Sequence, residues 1–276
     1  SSAASDVYKR QVFMARKIVL TSGKGGVGKT TVCANLGATL AKFGFRVVII
    51  DVDIGLNNLD VVMGLEDNVV YDILDVVKNK CRVKQALVQD PRFPSLYILA
   101  SNHTYNSGKI TKENIKDIVD TLDVSFDYIL IDCPAGVEEG FMRAVYPAHE
   151  AIIVVTPHIS SIRDADKVLG ILANFHLEEK YIVVNRMRGD MQLEGNMLDE
   201  NQISEMLGVN LLGVIPEDDA VSTLLNFGGL VGRTPAGRAF TLLCENLHNG
   251  TRKIYDCTNR YRGLSGVIRR GLKKII

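Results

Sequence analysis

Short apolar runs alternate along the chain with longer stretches whose apolar positions recur every three or four residues. The runs predict strands at Lys17–Thr21, Arg46–Asp51, Leu96–Ala100, Tyr128–Asp132, Ala151–Thr156, Tyr181–Asn185 and Leu211–Ile215. Most are near-continuous Val, Ile and Leu, the pattern of parallel strands covered on both faces. The periodic stretches predict helices at Thr30–Phe43, Tyr71–Lys78, Lys112–Leu122, Glu138–Tyr146, Ile162–Phe175, Gln202–Leu207 and Pro235–His248. Strand–helix alternation implies right-handed crossovers. The fold class is therefore α/β, a doubly wound, mainly parallel sheet with helices on both faces and ligands at the carboxyl ends of its strands. No internal repeat interrupts the pattern. Residues 250–262 are polar and irregular and read as a linker between a domain at 14–249 and a last helix at 263–276.

At the first strand-to-helix junction stands Gly23-Lys24-Gly25-Gly26-Val27-Gly28-Lys29-Thr30, a match to G-x-x-x-x-G-K-[ST] in the context that motif requires. Glycines let the backbone curl so that its N–H groups converge on phosphate oxygens, and the following helix adds the positive end of its dipole. Lys29 can reach the β- and γ-phosphates of a nucleotide, the Thr30 hydroxyl can ligate Mg²⁺, and Thr31 suits the α-phosphate. A nucleotide's phosphates and Mg²⁺ are thus the expected ligands. Lys24 is a second lysine that binding one nucleotide does not require.

Two acidic segments follow later strands. In Asp51-Val52-Asp53 the carboxylates lie two residues apart, so on extended chain they point the same way. Such a pair can hold hydrated Mg²⁺ and orient an attacking water, which is most of what phosphoryl transfer needs. In Ile129-Leu130-Ile131-Asp132-Cys133-Pro134-Ala135-Gly136 an apolar strand ends on Asp132, placed to act on Mg²⁺, and the Gly136 turn could sense the γ-phosphate.

Composition narrows the classes. Of 276 residues, 46% are hydrophobic and 23% charged, which excludes a disordered chain. Lys plus Arg and Asp plus Glu are each 32, so a global basic footprint for nucleic acid is absent. The zero hides an asymmetry: residues 251–276 hold eight basic residues and one acid, leaving a net −7 on the rest. Placed on a helix, Leu264, Val267, Ile268, Leu272, Ile275 and Ile276 fall on one arc and Arg269, Arg270, Lys273 and Lys274 on the other. A basic amphipathic helix of this kind can lie in an anionic membrane interface, and Gly266 and Gly271 suit it to fold on contact with lipid. No apolar run is long enough for a membrane-spanning helix. Five scattered cysteines without a CxxC pair suit a reducing compartment, and neither they nor the five histidines make a metal cluster. Residues 1–13 lack any period and read as a foreign or disordered leader before Met14-Ala15-Arg16.

The K-G-G-x-G-K-T loop resembles that of the deviant Walker A ATPases of the ParA/MinD family. The likeness extends through Asp53–Asp60, Asp132–Gly136, Ser160–Asp166 and Leu212–Asp218 to the septum-site-determining branch. The resemblance implies that Lys24 reaches across a dimer interface to the partner's nucleotide, that Asp53 positions the hydrolytic water, and that Asn58 belongs to a switch loop. It places Asn185, Arg186, Pro216, Glu217 and Asp218 around adenine. It makes the helix beginning at Ser160, Ser161, Arg163 and Asp164 the surface where partners dock; read from its residues alone, the same stretch is an ordinary surface helix with Ser160 or Ser161 as its cap. It also implies slow, partner-stimulated hydrolysis of ATP to ADP and phosphate, and a homodimer when ATP is bound. The implied location is cytoplasmic and peripheral on the inner face of the cell membrane. The implied partners are the division inhibitor MinC and a topological factor, MinE or a DivIVA-linked adaptor. Two relatives compete: a flagellar-number ATPase, which also carries a membrane tail, and a DNA-partitioning ATPase, which needs a basic surface on the folded body.

Overall fold

The computed structural model describes residues 14–55, 58–101, 110–221, 232–263 and 266. In chain order the described elements are β1 (Arg16–Thr21), α1 (Lys29–Lys42), β2 (Val47–Asp51), α2 (Leu59–Met63), α3 (Ile73–Val77), α4 (Val83–Ala86), β3 (Leu87–Gln89), β4 (Leu96–Leu99), α5 (Lys112–Leu122), β5 (Tyr128–Asp132), α6 (Glu139–Val145), β6 (Glu150–Val155), α7 (Ile159–Leu172), β7 (Glu179–Met187), α8 (Gly189–Leu193), α9 (Glu200–Leu207), β8 (Asn210–Pro216) and α10 (Pro235–Asn249).

The eight strands form one sheet in the order β3-β4-β2-β5-β1-β6-β7-β8. All pairs are parallel except β3 with β4. Alternate residues of each strand feed two cores, as a pleated sheet buried on both faces requires. Val19, Ile129, Ile131, Ile153 and Val184 pack with α3, α5, α6, α7 and α9 on one face. Ile18, Leu20, Leu130 and Ile152 pack with α1, α2 and α10 on the other. β1 lies centrally, between β5 and β6, so the loop leaving it stands beside the carboxyl ends of both.

All seven predicted strands form. The added strand, β3, is three residues long and too short to carry a period; it pairs antiparallel because Asp90 and Arg92 close a tight turn back into β4. The short helices α2, α4 and α8 lack a periodic stretch for the same reason. α7 begins at Ile159 with His158 as its N-cap, three residues earlier than expected, and neither serine caps it. Ser161 is buried and its Oγ accepts from the Thr156 N–H at 3.1 Å, tying the helix to the end of β6.

The 250–262 stretch is irregular and docked on the domain. Asn246 on α10 holds it: Nδ2 donates to the carbonyls of Leu212 and Lys253, and Oδ1 accepts from Lys253 N–H and the Thr251 hydroxyl. Within it, Cys257, Thr258 and Tyr261 are buried. The residues of the expected leader, and the tail residues Leu264, Val267, Ile268, Arg269, Arg270, Leu272, Lys273, Lys274 and Ile275, lie outside the described residues. Among the described residues no helix is long and apolar enough to cross a membrane.

Candidate nucleotide site

β1 delivers the chain into the glycine loop and α1 takes it out. Gly26 and Gly28 have φ of 80° and 88°, the left-handed region that a Cβ disfavours. Gly28 caps α1 with no side chain in the way, and no acidic residue stands in that helix's first turn. The positive end of α1 is therefore left for an external anion. Behind the loop, Asn185 at the end of β7 donates its Nδ2 to the Val27 carbonyl at 2.8 Å. In front of it, Ser22 Oγ donates to the Lys24 carbonyl, and the Ser22 carbonyl accepts from Gly136 N–H at 3.3 Å. The loop is thus fixed to both the β5 and β7 ends of the sheet. Lys24 itself is exposed.

Lys29 is buried, with Nζ 2.7 Å from Asp132 Oδ1. Burial works against its charge, but the Asp132 carboxylate outweighs it and raises the pKa. Asp51 is buried beside this pair. Its Oδ1 accepts from Asp53 N–H at 2.9 Å and its Oδ2 from Leu59 N–H at 3.4 Å. Burial and the neighbouring Asp132 charge push its pKa well above the usual carboxylate range. The expectation that Asp51 shares a metal with Asp53 therefore meets a competing use: its carboxylate accepts from both Asp53 N–H and Leu59 N–H. Asp53 is half-buried, and Ser101 Oγ fixes its carbonyl at 3.0 Å. Burial raises its pKa, with the Lys29 charge acting against this and the Asp132 charge adding to it. The Asp53 carboxylate thus faces the same charges as the end of the glycine loop. Asn58 is exposed at the N-terminus of α2 and makes no side-chain cap. Burial lifts the Cys133 thiol to about 12, so it is no nucleophile. All five cysteines are free thiols.

Beside the loop lies a cavity of about 240 Å³ lined by Gly28, Thr31, Asn185, Arg186, Pro216 and Glu217, floored by Ile215 and Phe240. Sequence reasoning missed these two and Val221, which also lines the cavity, because apolar residues carry no signal beyond burial. Arg186 adopts φ 59° at the point where the β7–β8 register shifts, a strained conformation of the kind that collects at binding sites. Asp218 also lines the cavity, but its carboxylate accepts from the N–H groups of Ala220 and Ala236, the latter at the start of α10. It orders the rim rather than facing a ligand with a free charge. Thr30 and Thr31 are partly buried in the first turn of α1. A hydroxyl at Thr30 and a carboxylate at Asp132 are hard oxygen donors, and they fit Mg²⁺. Of the residues assigned to the α7 surface, Ser160 and Arg163 are exposed, Asp164 is half-buried against Lys167, and Ser161 faces inward.

Residues 18–231 match the family described as the CobQ/CobB/MinD/ParA nucleotide binding domain. The septum site-determining protein MinD of Bacillus subtilis is 46% identical over 228 residues, 82% of this chain and 85% of that one. The MinC:MinD cell division complex of Aquifex aeolicus superposes with a TM-score of 0.81 at 41% identity, covering 87% of this chain and 98% of that one. The Pyrococcus horikoshii septum site-determining protein, complexed with Mg-ADP, gives 0.78 at 31% identity over 85% and 96% of the two chains. With its glycine loop, buried Lys29–Asp132 pair and adjoining cavity, the chain belongs to the CobQ/CobB/MinD/ParA nucleotide-binding family and to its branch of septum-site-determining MinD ATPases.

Proposed function

We propose that this chain is an ATP-switched regulator of division-site placement that dimerises on ATP, holds the membrane through paired C-terminal tails, and recruits MinC. The observation that carries the reading is the glycine loop, which sets the buried Lys29 against Asp132 with a base-sized cavity alongside. Loop amides from Gly25 to Thr31 and the Lys29 ammonium would take the phosphates. Asn185, Arg186, Pro216 and Glu217 would border adenine. Thr30 and Asp132 would hold Mg²⁺, which when bound neutralises charge on the phosphates. Asp51 holds the Asp53 backbone through its N–H, so that the Asp53 carboxylate would orient the water attacking the γ-phosphorus. Asn58 and Gly136 would respond to the γ-phosphate, Gly136 through its bond to the Ser22 carbonyl. Lys24, exposed within the loop, would complete the partner subunit's site.

Membrane attachment follows from the tail's chemistry. One short basic amphipathic helix binds marginally, whereas two on a dimer bind far better because the second attaches at high effective concentration. MinC and a topological factor, MinE or a DivIVA-linked adaptor, would meet the exposed face of α7 at Ser160 and Arg163. Co-sedimentation with anionic vesicles, with ATP and with ADP, tests the whole scheme on the full chain and on a chain ending at Arg262. ATP-dependent sedimentation that truncation abolishes supports it; sedimentation independent of nucleotide or of the tail refutes it. A second test is the lipid- and partner-stimulated ATPase rate of Asp53→Ala, which should collapse.

A further inference from the structure

The docked 250–262 stretch does not only connect. A second cavity of about 320 Å³ is lined by Arg188, Glu217, Asp218, Asp219 and Arg260. It shares Glu217 and Asp218 with the cavity beside the glycine loop. Arg260 stands in a single 3₁₀ turn (Asn259–Tyr261), with its guanidinium over the Tyr261 ring, 5.0 Å from the centroid. That turn is held from below. The Gly189 backbone, three residues past Arg186, lies so close to the Cys257 carbonyl that a Cβ there has no room. Thr258 is locked by its N–H and hydroxyl, which both donate to Asp256 Oδ1 at 2.8 and 2.6 Å. Beyond the turn, Gly266 abuts the Tyr261 backbone and the chain runs into the basic tail.

We propose that Arg260 is a base-side residue of the nucleotide site, and that the strap carrying it couples nucleotide occupancy to the segment leading into the tail. The inference rests on the nucleotide reading above and adds a residue beyond those matching the family, which end at 231. A planar guanidinium at this rim can stack on an exposed purine face or donate to its ring nitrogens. Because α8, the strap and the rim share one packed junction, ordering the rim orders the strap. By linkage, displacing the strap weakens the nucleotide to the same degree. This gives one protomer a route from base to tail that does not pass through the dimer interface.

The test uses the full chain with Mg²⁺ and ADP, and pyrophosphate as a probe lacking the base. Arg260→Ala should weaken ADP about three- to tenfold, the range of one such contact, and leave pyrophosphate unchanged. Arg252→Ala, an exposed strap residue away from the rim, should change neither. Lys29→Ala should abolish both. In the wild-type chain, ADP should slow hydrogen exchange at residues 257–262, a readout that stands even if a variant misfolds. Unchanged ADP affinity in Arg260→Ala, an equal loss of pyrophosphate, or strap amides indifferent to ADP would each overturn the proposal. Failure of the wild-type chain to bind ADP at all would instead overturn the nucleotide reading on which it rests.

Discussion

Lys29 Nζ and Asp132 Oδ1 stand 2.7 Å apart at the carboxyl edge of the sheet, both nearly sealed from solvent. Neither charge would be tolerated there alone. Removing one partner of such a buried pair costs about 3–5 kcal/mol, because the other is left uncompensated. We therefore expect Asp132→Ala to lower stability by about that much. Lys29→Met should do likewise, since Asp132 would then face Asp51 unscreened. The double variant Lys29→Met/Asp132→Ala should be less destabilised than the sum of its parts. Urea unfolding of the four proteins gives the coupling directly; strict additivity would mean that the pair is not the unit described. Mg-ADP should raise the wild-type unfolding midpoint and leave that of Lys29→Met unmoved.

Asp51 makes a pH prediction with a definite sign. Burial and the Asp132 charge raise its folded-state pKa well above the unfolded value. The folded state thus holds its proton more tightly, and the contribution is full below the unfolded pKa and lost as pH rises through the folded one. Asp51→Asn has no proton to lose. Its stability relative to wild type should therefore climb steadily from about pH 4 upwards, whatever its offset from the bond it loses to Leu59 N–H. Unfolding curves at a series of pH values would show this, and a flat difference would place Asp51 in a more polar setting than its burial indicates.

Gly28 and Asn185 are a third coupled pair. A Cβ on Gly28 would sit 2.5 Å from Asn185 Nδ2, and the backbone there has φ 88°. Left-handed backbone costs a side-chain-bearing residue about 1–2 kcal/mol. Displacing the amide strands the Val27 carbonyl for about 1–3 kcal/mol more. Gly28→Ala should thus lose both contributions in the wild-type background but only the backbone strain when Asn185 is already alanine. Thermal unfolding resolves this, since 1 kcal/mol moves the midpoint of a chain this size by about 2–4 °C. Equal cost in both backgrounds would mean that the amide is not what fills the space behind Gly28.

The two serines at the start of α7 separate what sequence offered from what the fold uses. Ser160 is exposed and Ser161 is buried against Thr156 N–H. Ser161→Ala should cost about 1–3 kcal/mol for the stranded amide, and Ser160→Ala less than about 0.5 kcal/mol. Equal effects would restore the capping role to Ser160.

The contrast shows where a sequence is legible. Strands buried on both faces announce themselves because every position is apolar, and β5 runs over Tyr128–Asp132 just as the pattern has it. The glycine loop is legible because backbone chemistry forces its residue types. Side chains that bond to distant backbone leave no such trace. Nothing local tells that Asp51 would clasp Asp53 and Leu59, or that Asn185 would reach Val27 across 158 positions. A serine before an apolar run reads as a cap until the start of the helix is seen. The polar 250–262 stretch read as a linker because its anchor is one asparagine outside it.

That anchor supports the last prediction. Asn246 Nδ2 donates to the Leu212 and Lys253 carbonyls, both at 2.9 Å, while Oδ1 accepts from Lys253 N–H at 2.9 Å and the Thr251 hydroxyl at 2.7 Å. One amide thus joins the edge strand β8 to the strap, using both donors and both lone pairs in a buried site. Such networks fail as a whole when half-satisfied. Asn246→Ala should cost about 2–4 kcal/mol, with the exchange of residues 251–258 accelerating before global unfolding. Asn246→Asp is the sharper test. It keeps the shape and both acceptor roles but turns the donating edge toward two carbonyl oxygens, so at neutral pH it should be no better than alanine. Acidification should then rescue it, because the protonated carboxyl regains a donor, whereas the alanine variant should show no such recovery. An aspartate variant as stable as wild type at neutral pH would show that packing, not the amide's donors, holds the strap.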